Sequence, residues 1–171
     1  MTAYRYLLTR DFRTLENDPA RTALFIMLNP STADEFDDDP TIRRCVSFAK
    51  REGCSRLEVV NLYAMRATKP ERLLTVSARA ALGPKNKRTI LNALDRGPAV
   101  AIAAWGAWWD TQSKRVTGPG FARLAVESFA REREITLHCF GTTKSGAPRH
   151  PLYVRADQPL IPFAAEWKAT P

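Results

Sequence analysis

The chain has 171 residues, of which 44% are hydrophobic and 26% are charged, and this is the size and composition of one globular domain with an ordinary core. Its longest apolar runs fall well short of the roughly 20 residues that a membrane helix needs, and its three cysteines show no C-x-x-C spacing, which argues against a disulfide framework, an all-cysteine zinc site and an iron–sulfur cluster. The formal net charge of +8 favours polyanionic partners. We therefore expect one domain over residues 1–171, a cytoplasmic monomer with no membrane partner, metal or cofactor.

The first part of the chain alternates strand patterns with helix patterns. Residues 4–8 are compatible with an edge strand, and the apolar run 22–28, which ends at an Asn-Pro turn, predicts a buried strand. The pair Asp39-Pro40 supplies an N-cap and a proline at the first helical position, and it predicts a helix that ends near residue 51. Residues 56–62 predict a second strand.

The same alternation continues to the end of the chain. A loop rich in turn-forming residues follows the last predicted strand, and a short terminal helix is expected to hold Phe163 and Trp167 against the body of the domain. The elements between the second strand and that loop are helices at 70–81 and 84–95, a strand at 99–104, a helix at 121–133 and a strand at 135–140.

Strands that alternate with helices imply crossover connections and a mostly parallel sheet covered on both faces. We therefore predict an α/β fold, a three-layer αβα sandwich around a central, mostly parallel four-stranded sheet. In such sheets ligands bind outside the carboxyl ends of the strands. These ends carry Asn29, Asn61, the pair Trp105-Gly106 and, in the loop after the last strand, His150, so two amides and an imidazole are expected to meet in one crevice.

The motifs at these four strand ends resemble those of the uracil-DNA glycosylase superfamily, and they occur in the same order along the chain. Leu28-Asn29-Pro30-Ser31 resembles the Asn-Pro version of the first motif, and Val59-Val60-Asn61-Leu62 is similar to an apolar-apolar-Asn triplet. Ala104-Trp105-Gly106-Ala107 resembles a Trp-Gly turn of the uracil-specific branch. Arg149-His150-Pro151-Leu152 resembles in part a His-Pro-Ser loop. The resemblance spans about residues 22–155.

The resemblance implies an enzyme that hydrolyses the N-glycosidic bond of uracil, or of a related damaged or modified pyrimidine, in flipped-out DNA, and so initiates base excision repair. In this interpretation Asn29 positions the attacking water, and Asp34 is the nearest carboxylate if one is needed. A neutral His150 stabilises the departing base anion. Asn61 reads the base through paired hydrogen bonds.

The remaining predicted site residues contact the base or the DNA. Phe36 and Tyr63 are the candidates to cover the flipped ring, beside Pro30 and Ser31, and Leu152 is the candidate wedge. Ser31 stands where the uracil-specific branch has a tyrosine that excludes the thymine methyl, and Leu152 replaces the serine of the His-Pro-Ser loop. The basic residues predicted to hold the DNA backbone are Lys144, Arg149 and Arg155.

The chain also resembles, more closely, a bacterial and phage domain family of unknown function. The signature of this second resemblance lies in residues 28–34 and 39–44. It carries less functional content than the first.

Other functions fit parts of the same sequence. Asp34, Asp37, Asp38 and Asp39 could hold divalent metal ions in a nuclease or phosphohydrolase, and a basic domain could bind nucleic acid without catalysis. Asn29, Asn61 and His150 also have purely structural interpretations, since Asn-Pro is a common turn and an asparagine often closes a strand. The tryptophans at 105, 108 and 109 are assigned to packing and not to the site.

Overall fold

The computed structural model describes residues 3–13, 20–31, 33, 37–108 and 119–163. Two predicted site residues, Asp34 and Phe36, lie outside the described residues, as do Trp109 and Trp167. Phe163 is described, and its ring packs edge-on against that of Trp105 with the centroids 5.6 Å apart.

Among these described residues, the fold is built on a mixed sheet of six strands with the order β1-β3-β2-β4-β5-β6. The four predicted strands form its parallel centre, β3-β2-β4-β5, and the two edges β1 and β6 are antiparallel to their neighbours. The strands are β1 Leu8–Asp11, β2 Thr22–Met27, β3 Arg56–Asn61, β4 Val100–Ala103, β5 Leu137–Cys139 and β6 Ile161–Pro162.

The prediction of a four-stranded sheet is therefore incomplete, because it does not include the edge strands β1 and β6. The amino-terminal edge strand was expected at 4–8 but begins at Leu8, and Tyr4 forms only an isolated bridge with Met65. Three of the four residues of β1 are polar, so the strand has little apolar pattern. Strand β6 consists of two exposed residues, one of them a proline, which sheets tolerate at an edge.

Helices lie in the connections between the strands. Helix α1 begins after Asp39, whose side chain accepts a hydrogen bond from the backbone N–H of Ile42 at 2.9 Å, and this is the predicted cap. The helix predicted over 70–81 is interrupted, because Ser77 caps a new helix by accepting from Ala80 N. Within the described ranges, the helical elements are α1 Pro40–Arg51, a 3₁₀ turn Pro70–Thr75, α2 Ala78–Leu82, α3 Asn86–Asp95, α4 Pro119–Glu132 and a 3₁₀ turn Pro151–Tyr153.

The sheet is covered on both faces, so the predicted three layers are present. Successive residues of β2 alternate between two cores: Leu24 and Ile26 pack with α3 and α4 on one face, and Ala23 and Phe25 pack with α1 on the other. This is the double burial expected of a central parallel strand. Within the described part of the chain, no helix has both the length and the apolar character needed to span a membrane.

The strand order places a topological switch point at the carboxyl end of β2. The chain passes from β2 to its neighbour β3 on one side and later returns to β4, the neighbour on the other side. The connections that leave these strands diverge there, and such divergence opens a crevice in which α/β proteins bind their ligands.

Candidate functional site

A cavity of about 800 Å³ lies at this switch point. Asn29 after β2, Asn61 at the end of β3 and His150 in the loop after β5 all line it. Its volume falls within the range of sites that bind small molecules. The two amides and the imidazole expected at the rim of the sheet are thus gathered around one space.

Asn29 presents an oxygen as its remaining polar atom. Its side-chain nitrogen donates to the backbone carbonyls of Pro30 at 3.0 Å and Ala67 at 2.7 Å. Because carbonyl oxygens only accept, these contacts fix which end of the amide is nitrogen and use both of its hydrogens. Oδ1 is left as a hydrogen-bond acceptor for whatever occupies the cavity.

Asn61 is 1% exposed, and its side-chain nitrogen has no hydrogen-bond partner among the described residues. A buried donor without a partner costs roughly 1–3 kcal/mol and is rare in folded proteins. Because Asn61 lines the cavity, this donor is suited to an acceptor carried by a ligand. The unpaired nitrogen is the strongest single indication that the cavity is a binding site.

His150 is held as a neutral imidazole. Its Nδ1 accepts from the backbone N–H of Leu152 at 3.3 Å, so the proton of the neutral ring resides on Nε2. Burial lowers the pKa of His150 to about 4, and the nearby Asp39 carboxylate acts in the opposite direction. At neutral pH the ring therefore offers an uncharged Nε2–H donor.

The turn that carries His150 is braced by helix α1. Arg44 donates from Nη2 to the carbonyl of Val154 at 2.6 Å and from Nε to the carbonyl of Pro151 at 3.4 Å. Its guanidinium also lies 4.8 Å from the centroid of the Phe48 ring on the same helix. These contacts join the turn to an element that is itself packed on the sheet.

Gly106 allows the β4 connection to pass close to the histidine. Its backbone has a positive φ of 74°, which glycine adopts without steric cost, and its N–H donates to the carbonyl of Pro148 at 3.0 Å. A Cβ at this position would lie 3.4 Å from the Cβ of His150. The Trp-Gly turn and the His-Pro loop are therefore in direct proximity.

Three further predicted residues, Ser31, Arg149 and Leu152, also line the cavity. Leu152 is 41% exposed, and the adjacent Tyr153, which lines the cavity as well, is 80% exposed. Arg149 donates from Nε to the carbonyl of Thr142 at 3.2 Å. The mouth of the cavity thus combines exposed apolar surface with a cation.

Four other predicted contact residues, all among those that the structure describes, do not line the cavity. Tyr63 is buried in the core on the α3 side of the sheet, where burial raises the pKa of its hydroxyl, so it does not cover a ligand there. Pro30 is buried beside the cavity but is not part of its lining. Lys144 is exposed outside it, and Arg155 forms an exposed ion pair with Asp157 at 3.0 Å.

Sequence reasoning missed several residues of the cavity wall. Trp105 and Trp108, assigned to packing, line it together with Asp39 and Tyr153. The rule that ligands bind at the carboxyl ends of strands already placed Trp105 at this rim, and it was left out of the site because buried tryptophans usually serve packing. Asp39 was interpreted only as a helix cap and as one of four acids, because nothing local in the sequence shows that the cap faces a cavity.

Two of the four acids proposed for a metal site have other partners. Asp38 forms an ion pair with Arg10 at 2.8 Å, and Asp39 caps helix α1. Among the residues that the structure describes, no group of three His, Cys, Asp or Glu side chains is arranged to hold a metal ion.

Comparison with known proteins identifies the family of the chain. It belongs to DUF1643, a family of proteins of unknown function, whose model matches residues 5–152. The predicted resemblance to a domain family of unknown function is thereby confirmed. No curated protein matches the chain, and no solved structure does.

Proposed function

We propose that this member of DUF1643 is a DNA glycosylase that hydrolyses the N-glycosidic bond of uracil, or of a related modified pyrimidine, in DNA. The observation that carries the proposal is the unpaired, buried amide nitrogen of Asn61 in a cavity that Asn29 and His150 also line. The motifs that resemble the uracil-DNA glycosylase superfamily supply these three residues.

Asn61 suits the recognition of a base with a carbonyl group. Its unpaired nitrogen can donate to O4 of uracil while its side-chain oxygen accepts from the N3 imino hydrogen. Cytosine presents an amino group and an unprotonated ring nitrogen at the same two positions, so both hydrogen bonds would be lost. A site built around such pairs rejects the mismatched base strongly, since the buried groups are left unpaired.

His150 suits stabilisation of the departing base. Breaking the bond between C1′ and N1 leaves negative charge on the pyrimidine, part of it on O2. The Nε2–H of a neutral imidazole can donate to that oxygen, and the depressed pKa of His150, about 4, keeps the ring uncharged at neutral pH. A preorganised donor of this kind contributes roughly 3–4 kcal/mol to transition-state stabilisation.

Asn29 suits the positioning of water. With its nitrogen committed to two carbonyls, Oδ1 can accept a hydrogen bond from a water molecule placed near C1′. An amide has no useful basicity, so its contribution is orientation and not proton transfer.

The surroundings of the cavity suit a base that is flipped out of DNA. Leu152 and Tyr153 are exposed at the mouth, where they can occupy the gap left in the base stack, and Arg149 is available to a phosphate. Flipping costs a few kcal/mol, and the net charge of +8 favours the backbone contacts that offset this cost.

The proposal is tested with labelled oligonucleotides, single- and double-stranded, that contain uracil, thymine mismatches, hypoxanthine or hydroxymethylated pyrimidine. The protein is incubated with each oligonucleotide in parallel in Mg²⁺ and in EDTA, and half of each sample is then treated with alkali to cleave any abasic site. We expect alkali-dependent scission of a uracil or modified-pyrimidine strand. Scission without alkali that EDTA abolishes would indicate a metal-dependent nuclease, and tight binding without abasic sites would indicate a non-catalytic module. Either result would overturn the proposal.

A further inference from the structure

Asp39 both caps helix α1 and lines the cavity. Its Oδ1 accepts from Ile42 N at 2.9 Å and its Oδ2 from Ala33 N at 3.4 Å. Both oxygens are thus oriented by backbone N–H groups, so the position of the carboxylate is set by the fold.

The backbone on one side of this carboxylate is itself fixed. Ala33 is buried, and its carbonyl accepts hydrogen bonds from the guanidinium groups of Arg5 and Arg66. The same peptide segment therefore has its carbonyl held by two arginines and its N–H held by Asp39. A carboxylate supported in this way is already oriented, so it loses little conformational freedom when a ligand binds.

The negative charge of Asp39 is directed to the cavity and not to a neighbouring cation. Asp39 forms no ion pair with any residue that the structure describes, whereas the adjacent Asp38 pairs with Arg10 at 2.8 Å. The carboxylate interacts electrostatically with His150 across the cavity wall. An anion placed here acts on any positive charge that develops inside.

We propose that Asp39 is the catalytic carboxylate of the reaction, in place of Asp34. The inference rests on the proposed function. As the bond between C1′ and N1 breaks, its electron pair leaves with the base, and the Asp39 carboxylate stabilises the positive charge on deoxyribose. The water held by Asn29 forms the new O–C1′ bond and gives one proton to Asp39. The released base anion takes a proton from solvent, and Asp39 returns its proton to solvent, which restores the carboxylate.

The test is Asp39→Asn, because asparagine caps a helix as well as aspartate does but has neither charge nor basicity. We expect a small decrease in the unfolding midpoint, because the amide oxygen of asparagine keeps the cap on Ile42 N but its amide nitrogen cannot accept from Ala33 N. Affinity for DNA should be unchanged, and the rate of uracil release should be at least about 100-fold lower, the usual contribution of a general base. Asp38→Asn is the matched control and should retain the wild-type rate. A second variant, Asp39→Ser, also keeps a good cap and should lose the same activity.

The His150 resonance gives a readout that does not depend on activity. Removing the Asp39 charge takes away the interaction that raises the His150 pKa, so this pKa should fall in Asp39→Asn and remain unchanged in Asp38→Asn. If the wild type excises base and both Asp39 variants retain its rate to within threefold, the inference is overturned while the proposed function stands. If Asp34→Asn instead abolishes release, the carboxylate is Asp34. If the wild type excises nothing, both proposals fail together.

Discussion

The side-chain amide of Asn86, in helix α3, donates to the backbone carbonyl of Asn61 at 2.9 Å and to that of Leu62 at 3.0 Å. Asn86 is 1% exposed, and both of its amide hydrogens are used on the end of strand β3. A residue of a covering helix thus sets the position of the backbone from which Asn61 reaches the cavity.

Asn86→Ala should destabilise the protein, because it leaves two buried carbonyls without these donors. At roughly 1–3 kcal/mol for each unsatisfied buried group, we expect a loss of about 2–6 kcal/mol in the free energy of unfolding, measured by urea denaturation. Asn92→Ala is the matched control, since Asn92 lies exposed on the same helix, and it should change stability by less than about 0.5 kcal/mol. Equal effects of the two substitutions would contradict the assigned role.

Asn29→Asp should lower the stability of the protein. The nitrogen of Asn29 faces the carbonyls of Pro30 and Ala67, and a carboxylate oxygen there would meet two acceptors. We expect the free energy of unfolding at pH 7 to lie about 1–3 kcal/mol below that of the wild type. At pH 3.5 this difference should be smaller, because the protonated acid can donate one hydrogen bond. If thermal denaturation shows that the variant is as stable as the wild type at pH 7, the assigned orientation of the Asn29 amide is wrong.

His150 should make stability depend on pH in a defined window. Its pKa is 6.5 in its ordinary state and about 4 in the folded protein, so between these values the unfolded chain binds a proton that the folded chain does not. The contribution of His150 to the free energy of unfolding is therefore fully present above pH 6.5 and is lost as the pH falls toward 4. Since His150→Gln removes this group, the wild type should lose more stability than the variant between pH 7 and pH 4.5.

The same pKa can be measured directly by NMR. The chain has two histidines, and His138→Gln assigns their ring signals. We expect the His150 ring to remain neutral, with its proton on Nε2, down to at least pH 5.5. Titration of this ring at pH 6.5 or above would contradict both its burial and its proposed use as an uncharged donor.

Arg44→Met should loosen the turn that carries His150, because the two hydrogen bonds from its guanidinium to Pro151 and Val154 are lost. Arg44 is a positioning residue, so we expect the His150 pKa to rise toward 6.5 as water gains access, together with a roughly 10-fold or greater loss in kcat and a smaller change in KM. Arg43→Met is the control, since Arg43 is exposed on the same helix and donates to the carbonyl of Asp38. An unchanged His150 pKa in Arg44→Met would exclude the bracing role.

The parts of the fold that could be predicted from the sequence are those with a local signal. The four parallel strands and the Asp39 cap follow from apolar runs and cap chemistry, and the rule on strand ends then brought Asn29, Asn61 and His150 to one rim. Strand β6 and the break at Ser77 were missed because neither has a periodic pattern.

The parts of the site that could not be predicted depend on tertiary direction. Tyr63 lies two residues beyond Asn61, and residues two apart in a strand face the same layer. Strand β3 ends at Asn61, however, so this rule does not extend to Tyr63, whose side chain packs into the core. Asp39 looks like any other N-cap in the sequence, and only the packing of α1 shows that it also faces the cavity.

The most direct test of the central claim is the rate at which free uracil is released from a uracil-containing oligonucleotide, measured by mass spectrometry for the wild type, Asn61→Ala, His150→Ala and the control Asn92→Ala. We predict release by the wild type and the control at equal rates, and rates at least about 100-fold lower for the other two variants, with DNA affinity retained in all four. Release by Asn61→Ala and His150→Ala at the wild-type rate, or no release of any pyrimidine by the wild type, would contradict the account.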